Sequence, residues 1–264
     1  MSRASTDYAT LRVSVLIGTG RHKKVFAAQL ADKELAYVTV QSNSIFETEV
    51  KTFELFGSHP NIVGFHSVVD AVPGKVLAFL EERCEGSLRQ YVDEFLQHLK
   101  TPASDVVSRD LAEGLIRAIA FVHSKDVIHR DVNPSNILIP SFQNPSVKLA
   151  DFSLAARVVD ASNSGKVGTR GFIAPEVMRA KKGEQDLNIT AKSDVWSTGC
   201  CLLLIFTGRY PFSTAPKAVG PIPPEVSLVP ESVRELVDVF GGGCGQARFL
   251  GRLGYLVRTA SRGG

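Results

Sequence analysis

The sequence predicts an α+β fold, with strands gathered early in the chain and helices in most of the rest. Three observations predict it. Leu11, Val13, Val15 and Ile17 occupy every second position, the spacing of a half-buried strand. Apolar residues in 104–124 recur at helical spacing instead. A chain of 264 residues with 44% apolar content can also bury a sizeable core, in one large domain or two lobes.

The elements follow in order. The first strand ends at Gly18-Thr19-Gly20, and a second begins near Val25-Phe26-Ala27. Tyr37-Val38-Thr39-Val40-Gln41 reads as a third strand, residues 46–56 as a helix and 76–80 as a buried strand. Residues 87–100 and 104–124 read as amphipathic helices, the first capped by Ser87 and separated from the second around Pro102. A short apolar strand spans 137–139, and Asp194 leads an apolar helix over 195–206. Residues 213–229 are short and proline-rich, 231–240 give one more helix, and Gly241-Gly242-Gly243-Cys244-Gly245 breaks the pattern.

Composition narrows the function. The formal charge is only +3, and residues 241–264 hold four arginines with no acid, so no global basic field points to nucleic acid. The four cysteines lack metal spacing, which suits a reducing compartment. Met1 to Asp7 has no apolar targeting core, and the run Cys200 to Phe206 is far too short to span a bilayer. The expectation is a cytoplasmic protein with neither a membrane nor a nucleic-acid partner.

The chemistry concentrates between His129 and Asp151. In His129-Arg130-Asp131-Val132-Asn133-Pro134-Ser135-Asn136, an aspartate is followed five residues later by an asparagine, and Asp151-Phe152-Ser153 follows after a short hairpin. Phosphoryl transfer from a nucleotide needs one carboxylate facing the attacking hydroxyl, and hard oxygen ligands holding magnesium against the phosphates. Asp131 suits the first task; Asn136 and Asp151 suit the second.

This stretch resembles the catalytic loop and metal-binding turn of a protein kinase. Ala174-Pro175-Glu176 and Ser193-Asp194-Val195-Trp196-Ser197-Thr198-Gly199 follow in kinase order and spacing. The resemblance covers roughly residues 11–240. It implies a bilobal fold, with an N-lobe over 11–80, a hinge over 81–86 and a C-lobe over 87–240 that lacks its last helices. Residues 1–10 are then an extension and 241–264 a basic Gly/Arg-rich tail, and the missing packing predicts low stability.

The resemblance also implies ATP and magnesium, a protein substrate and a possible regulatory partner. Gly18 and Gly20 would approach the phosphates. Val25, Val38, Leu80 and Leu138 would line the adenine pocket, with main-chain groups of Glu81 and Arg83 at the adenine edge. Phe53, Phe65, Phe152 and His129 would stack as a column joining the lobes, and Asp194 would hold the backbone around Arg130. Thr169 would bond to Asp131, as in the Ser/Thr-specific form of the substrate platform. Ser162 or Ser164 would accept a regulatory phosphate paired with Arg130.

Four positions depart from the family pattern. Gln41 aligns with the phosphate-binding lysine, Lys23 with the third loop glycine, Asn133 with the catalytic-loop lysine, and Ser153 with a glycine. The with-no-lysine kinases supply an ammonium from the position of Lys23. Two readings stand: Lys23 reaches the phosphates in place of the missing lysine, or Lys23 and Lys24 are solvated turn residues. Glu49 would pair with Gln41 or with Lys23. The function divides likewise, between a Ser/Thr kinase with weakened catalysis and a pseudokinase that scaffolds or regulates a partner. A small-molecule phosphotransferase is disfavoured by the stretch 169–176 and by Asp194.

Overall fold

The computed structural model describes residues 8–69, 77–96, 105–160, 168–174, 177–178, 189–208 and 210. Ser162, Ser164, Pro175, Glu176, the 231–240 segment and the tail lie outside them.

The first part of the chain forms one antiparallel sheet. Its strands are β1 (Arg12–Thr19), β2 (Lys23–Leu30), β3 (Lys33–Val40), β4 (Phe65–Val69) and β5 (Leu77–Glu82), in the order β1-β2-β3-β5-β4. A two-residue loop joins Leu30 to Lys33, with Ala31 in the left-handed region at φ 50°. Alternation then sorts β3 by face. Leu35 joins an outer cluster with Ala28, Leu30 and Leu80, covered by Tyr8 and Leu11, while Val38 and Val40 join the inner core with Phe53. Tyr8 thus packs onto the sheet, its hydroxyl donating to Val68 O at 2.5 Å.

Helix α1 (Asn43–Phe56) lies against the inner face and buries Glu49, Val50, Thr52, Phe53 and Phe56. It stops at Gly57, whose φ of 65° lets its N–H turn back to Phe53 O. Phe53 is 2% exposed, and its truncation to Ala would cost about 3–5 kcal/mol in lost burial and cavity.

The column expected from the sequence is continuous. Phe53 stacks on Phe65 at 5.2 Å and meets Phe152 edge-on at 5.5 Å, and Phe152 lies 4.9 Å from the His129 ring. It links the sheet to the helical part.

That second part opens with β6 (Gly86–Ser87) and α2 (Leu88–Tyr91), which carries on as a π turn over Val92–Leu96. The Ser87 hydroxyl accepts from Gln90 N in a capping box, as its place in the sequence predicts. In α3 (Asp105–Ser124), Leu111, Leu115, Ala118, Ile119 and Val122 make one buried face. Short strands follow: β7 (Val127–Ile128), β8 (Ile137–Ile139), β9 (Lys148–Leu149) and β10 (Ala156–Arg157). Helix α4 (Ala191–Thr207) is capped by the Thr190 hydroxyl, which accepts from Lys192 N, and ends at Gly208 with φ 63°.

Asp194, in the first turn of α4, is 1% exposed. Its two oxygens accept from His129 N at 2.8 Å and Arg130 N at 2.9 Å, and Oδ2 also lies 2.9 Å from His123 Nε2. The expected support of the turn is present, together with a histidine the sequence did not link to it.

Candidate active site

Two short ladders bring the site together. Strands β6, β8 and β9 form one sheet, with Asn136 just before β8 and Asp151 two residues after β9. Ala150 N donates to Asn136 O at 2.9 Å, so the hairpin closes with both side chains at one end. Arg130 and Asp151 take left-handed φ values of 70° and 61°, turns that aim the loop inward. Ser153 is not among the non-glycine residues with positive φ, so losing a glycine there strains nothing.

Lys23 opens β2 opposite Val40. Its ammonium donates to Glu49 Oε1 at 2.5 Å and to Asp151 Oδ1 at 2.7 Å. Burial alone would lower the Lys23 pKa, but Asp151 and Glu49 outweigh it and hold the pKa above its ordinary value. Burial likewise works to raise Asp151, yet Lys23 prevails and brings it down to about 2. Glu49 is pushed up to about 7 by burial, with Lys23 pulling the other way. Its Oε1 also accepts from Phe152 N at 3.3 Å, while Oε2 is buried with no partner.

Gln41 does not enter this group. It lies one residue past β3, is exposed, and uses its backbone N–H on His22 O at 3.0 Å. The physical reason is alternation: Val38 and Val40 face the core, so a residue of the opposite parity points away. Val38, opposite Val25 and 1% exposed, holds the inward position in mid-strand. Strand β3 therefore presents no cation to the cleft, and Glu49 pairs with Lys23.

A second group surrounds Asp131. Thr169 Oγ1 donates to its Oδ1 at 2.7 Å, and Asn136 Nδ2 reaches its Oδ2 at 3.2 Å and its carbonyl at 2.9 Å. Asn133, only 3% exposed, donates to Asp131 O and to Thr169 Oγ1, each at 3.1 Å, and accepts from Ser135 N at 2.9 Å. Burial raises the Asp131 pKa, opposed by the Thr169 hydrogen bond. A small pocket beside Asp131 and Thr169 is lined by Arg130, Val132, Phe172 and Ile173.

Along the cleft wall, Gly18 pairs with Val25. Added Cβ atoms would come no closer than 3.5 Å to anything at Gly18 and 3.9 Å at Gly20, and neither glycine has positive φ. The chain itself therefore does not require these glycines; a ligand approaching the backbone would. Leu138 pairs with Ser87 and Lys148 and packs on the main core. Leu80 is a correction: it belongs to the outer cluster with Ala28 and Leu35, on the opposite sheet face from Phe53. Glu81 stands beyond it, opposite Ala36 and Phe65, and turns inward. Arg83, one residue past β5, is exposed, with a loose 3.7 Å ion pair to Glu34.

The fold thus gathers a lysine held by two carboxylates, a loop aspartate bonded to a threonine, and the Asn136 amide on that aspartate. The protein kinase domain model matches residues 12–220. The chain belongs to the protein kinase family. Its relatives include CBL-interacting protein kinase 1 of Oryza sativa subsp. japonica, 30% identical over 210 residues, or 78% of this chain and 42% of that one. Mitogen-activated protein kinase kinase kinase 5 of Arabidopsis thaliana is 28% identical over 214 residues, covering 75% and 28%. The serine/threonine-protein kinase RUNKEL of Arabidopsis thaliana is 33% identical over 200 residues, covering 73% and 13%. This chain thus spans less than half the length of these relatives. No helix of the kinase domain is long and apolar enough, among the described residues, to cross a membrane.

Proposed function

We propose that this kinase domain transfers the γ-phosphate of ATP to a serine or threonine hydroxyl of a protein substrate, with Lys23 in the place of the usual strand lysine. The observation that carries the reading is the contact of the Lys23 ammonium with Glu49 and Asp151. A buried ammonium next to a metal-type carboxylate suits a triphosphate, and the two glycines upstream leave room for its oxygens.

Each residue then has a task. Asp131 orients the substrate hydroxyl and accepts its proton as the oxygen bonds to phosphorus and ADP leaves. Burial favours this by raising the carboxyl's affinity for a proton. Thr169 fixes one Asp131 oxygen, in the manner of the Ser/Thr platform. Asp151 and the side-chain oxygen Oδ1 of Asn136 would hold magnesium, since the Asn136 side-chain nitrogen is committed to Asp131. Magnesium, when bound, neutralises charge on the phosphate oxygens. Val25, Val38 and Leu138 give apolar contact to the base, and main-chain groups at Glu81 and Arg83 give it hydrogen bonds. Three cysteines are free thiols among the described residues, which suits the cytoplasm.

A second reading, a pseudokinase that binds nucleotide or a regulatory partner without turnover, draws on Asn133. Its hydrogen bonds go to the loop and to Thr169, and it brings no charge to a transferring phosphate. One experiment separates the readings: thermal unfolding with magnesium and ATP, followed by phosphate transfer to a generic basic protein. A raised midpoint that Lys23→Ala abolishes, with measurable transfer, supports the enzyme. A raised midpoint without transfer supports the scaffold, and no shift removes nucleotide binding altogether.

A further inference from the structure

The rim of the site carries an exposed arginine with no task so far. Arg170 directly follows Thr169, whose Oγ1 donates to Asp131 Oδ1 at 2.7 Å. The two residues open a turn that Phe172 N closes by donating to Thr169 O at 3.0 Å. Gly171 holds the second central position with φ 91°, a conformation that favours glycine. Phe172 is buried, and its carbonyl accepts from Ser197 Oγ at 2.8 Å, so the turn is fixed at both ends. Arg170 sits at its corner, and no carboxylate among the described residues pairs with it.

The charges around it have one sign. Asp131 is held by Thr169 at one oxygen and by Asn136 at the other. Apart from Asp131 and the half-buried Arg130, no other Lys, Arg, Asp or Glu stands in residues 129–136 or 168–174. Ser135, exposed in the same loop, is neutral. A peptide that brings a hydroxyl to Asp131 must lay its flanking residues over this turn. Each flanking residue lies only about 3.3–3.6 Å further along an extended chain, within reach of an arginine side chain. The guanidinium fork matches a carboxylate or a phosphate, and it repels a cation.

We propose that Arg170 sets the substrate class: serine or threonine acceptors flanked by an anionic side chain, carboxylate or phosphate. The inference rests on the phosphotransfer reading above and names the substrate of that same site. A fixed turn suits the task, because the guanidinium starts from a defined backbone and little order is lost when the peptide docks.

The test uses the full chain with magnesium, ATP and four peptides. They share one acceptor serine and carry Glu, phosphoserine, Ala or Lys at the positions flanking it. For the wild type, kcat/KM for the Glu peptide should exceed that for Ala about fivefold and that for Lys about tenfold. Arg170→Glu should reverse the order, with the Lys peptide ahead of the Glu peptide, while Arg170→Lys should keep it. A merely structural role would slow all four peptides alike and reverse nothing. A phosphoserine peptide well ahead of the Glu peptide assigns the anion to a prior phosphorylation; parity assigns it to acidic sequence. Equal rates on all peptides, or an order that Arg170→Glu leaves unchanged, overturns the proposal. Absence of product from every peptide overturns the phosphotransfer reading and this one with it, and is told apart from equal rates by the missing product.

Discussion

The Nζ of Lys23 lies 2.7 Å from Asp151 Oδ1, tying the first residue of β2 to the turn after β9 across 128 positions of sequence. The same ammonium holds Glu49 on α1 at 2.5 Å. One side chain thereby joins the glycine turn, the helix and the turn that carries Asp151. No residue of β3 shares the task, because the inward positions there are Val38 and Val40.

That geometry predicts which lysine transplant works. Lys23→Ala should lower kcat/KM for ATP by roughly 100-fold, the size of a lost charge contact to the transferring group. Adding Val38→Lys should restore part of the loss, since position 38 faces the core that Phe53 of α1 fills. Adding Gln41→Lys should restore none, since position 41 is exposed beyond the strand. Steady-state kinetics of the two double variants decides the matter, and equal rescue would refute the register.

Asn133 makes a contrasting prediction, because its hydrogen bonds organise the loop without supplying charge. Asn133→Ala removes the acceptor of Ser135 N–H and one of the two hydrogen bonds at Thr169 Oγ1, and should cost about 1–3 kcal/mol in stability. Asn133→Lys should raise kcat about tenfold at unchanged KM for ATP, by adding charge beside the transferring group. Single-turnover phosphate transfer, read together with denaturant unfolding, separates the two effects. A slower Asn133→Lys enzyme would mean that holding Thr169 matters more than charge.

Much of this was legible in the chain because the loop residues are read locally. Asp131, Asn136 and Asp151 sit in a fixed order, and the stacking of Phe53, Phe65, Phe152 and His129 follows from their parts in one core. The misplacements of Gln41 and Leu80 have a common cause. Leu80 sits in β5 and Gln41 directly follows β3, where an error in register exchanges inside for outside, and a run such as Leu77-Ala78-Phe79-Leu80 is apolar on both faces. Sequence shows no alternation there to reveal which of Leu80 and Glu81 turns inward. Pairing with β3 and β4 decides it. The partnership of His123 with Asp194 was equally hidden, since it joins residues 71 positions apart.

Asp194 is predicted to be a folding residue rather than a catalytic one. Asp194→Ala strands the N–H groups of His129 and Arg130 in a buried turn and should cost about 3–5 kcal/mol, enough to unfold a marginal domain. Asp194→Asn keeps one carbonyl acceptor and should cost less. Urea unfolding orders the two variants, and equal loss would show that the charge rather than the hydrogen bonds matters.

Stability against pH tests the placement of Glu81. Its folded pKa of about 8 lies above the ordinary 4.5, so between those values the folded chain binds more protons than the unfolded chain. Stability from this group is therefore fully present below about pH 4.5 and lost as pH rises through 8. Asp151 runs the other way: lowered to about 2, it stabilises above its ordinary 3.8 and loses that contribution as pH falls toward 2. The two windows do not overlap, so they can be read apart. Glu81→Gln, which cannot ionise, should gain on the wild type by a few degrees in Tm, roughly, between pH 5 and 9. Below pH 4 the two proteins should decline in parallel, because Asp151 is common to both. A constant Tm difference across pH 5 to 9 would place the Glu81 carboxyl in water rather than in the cleft.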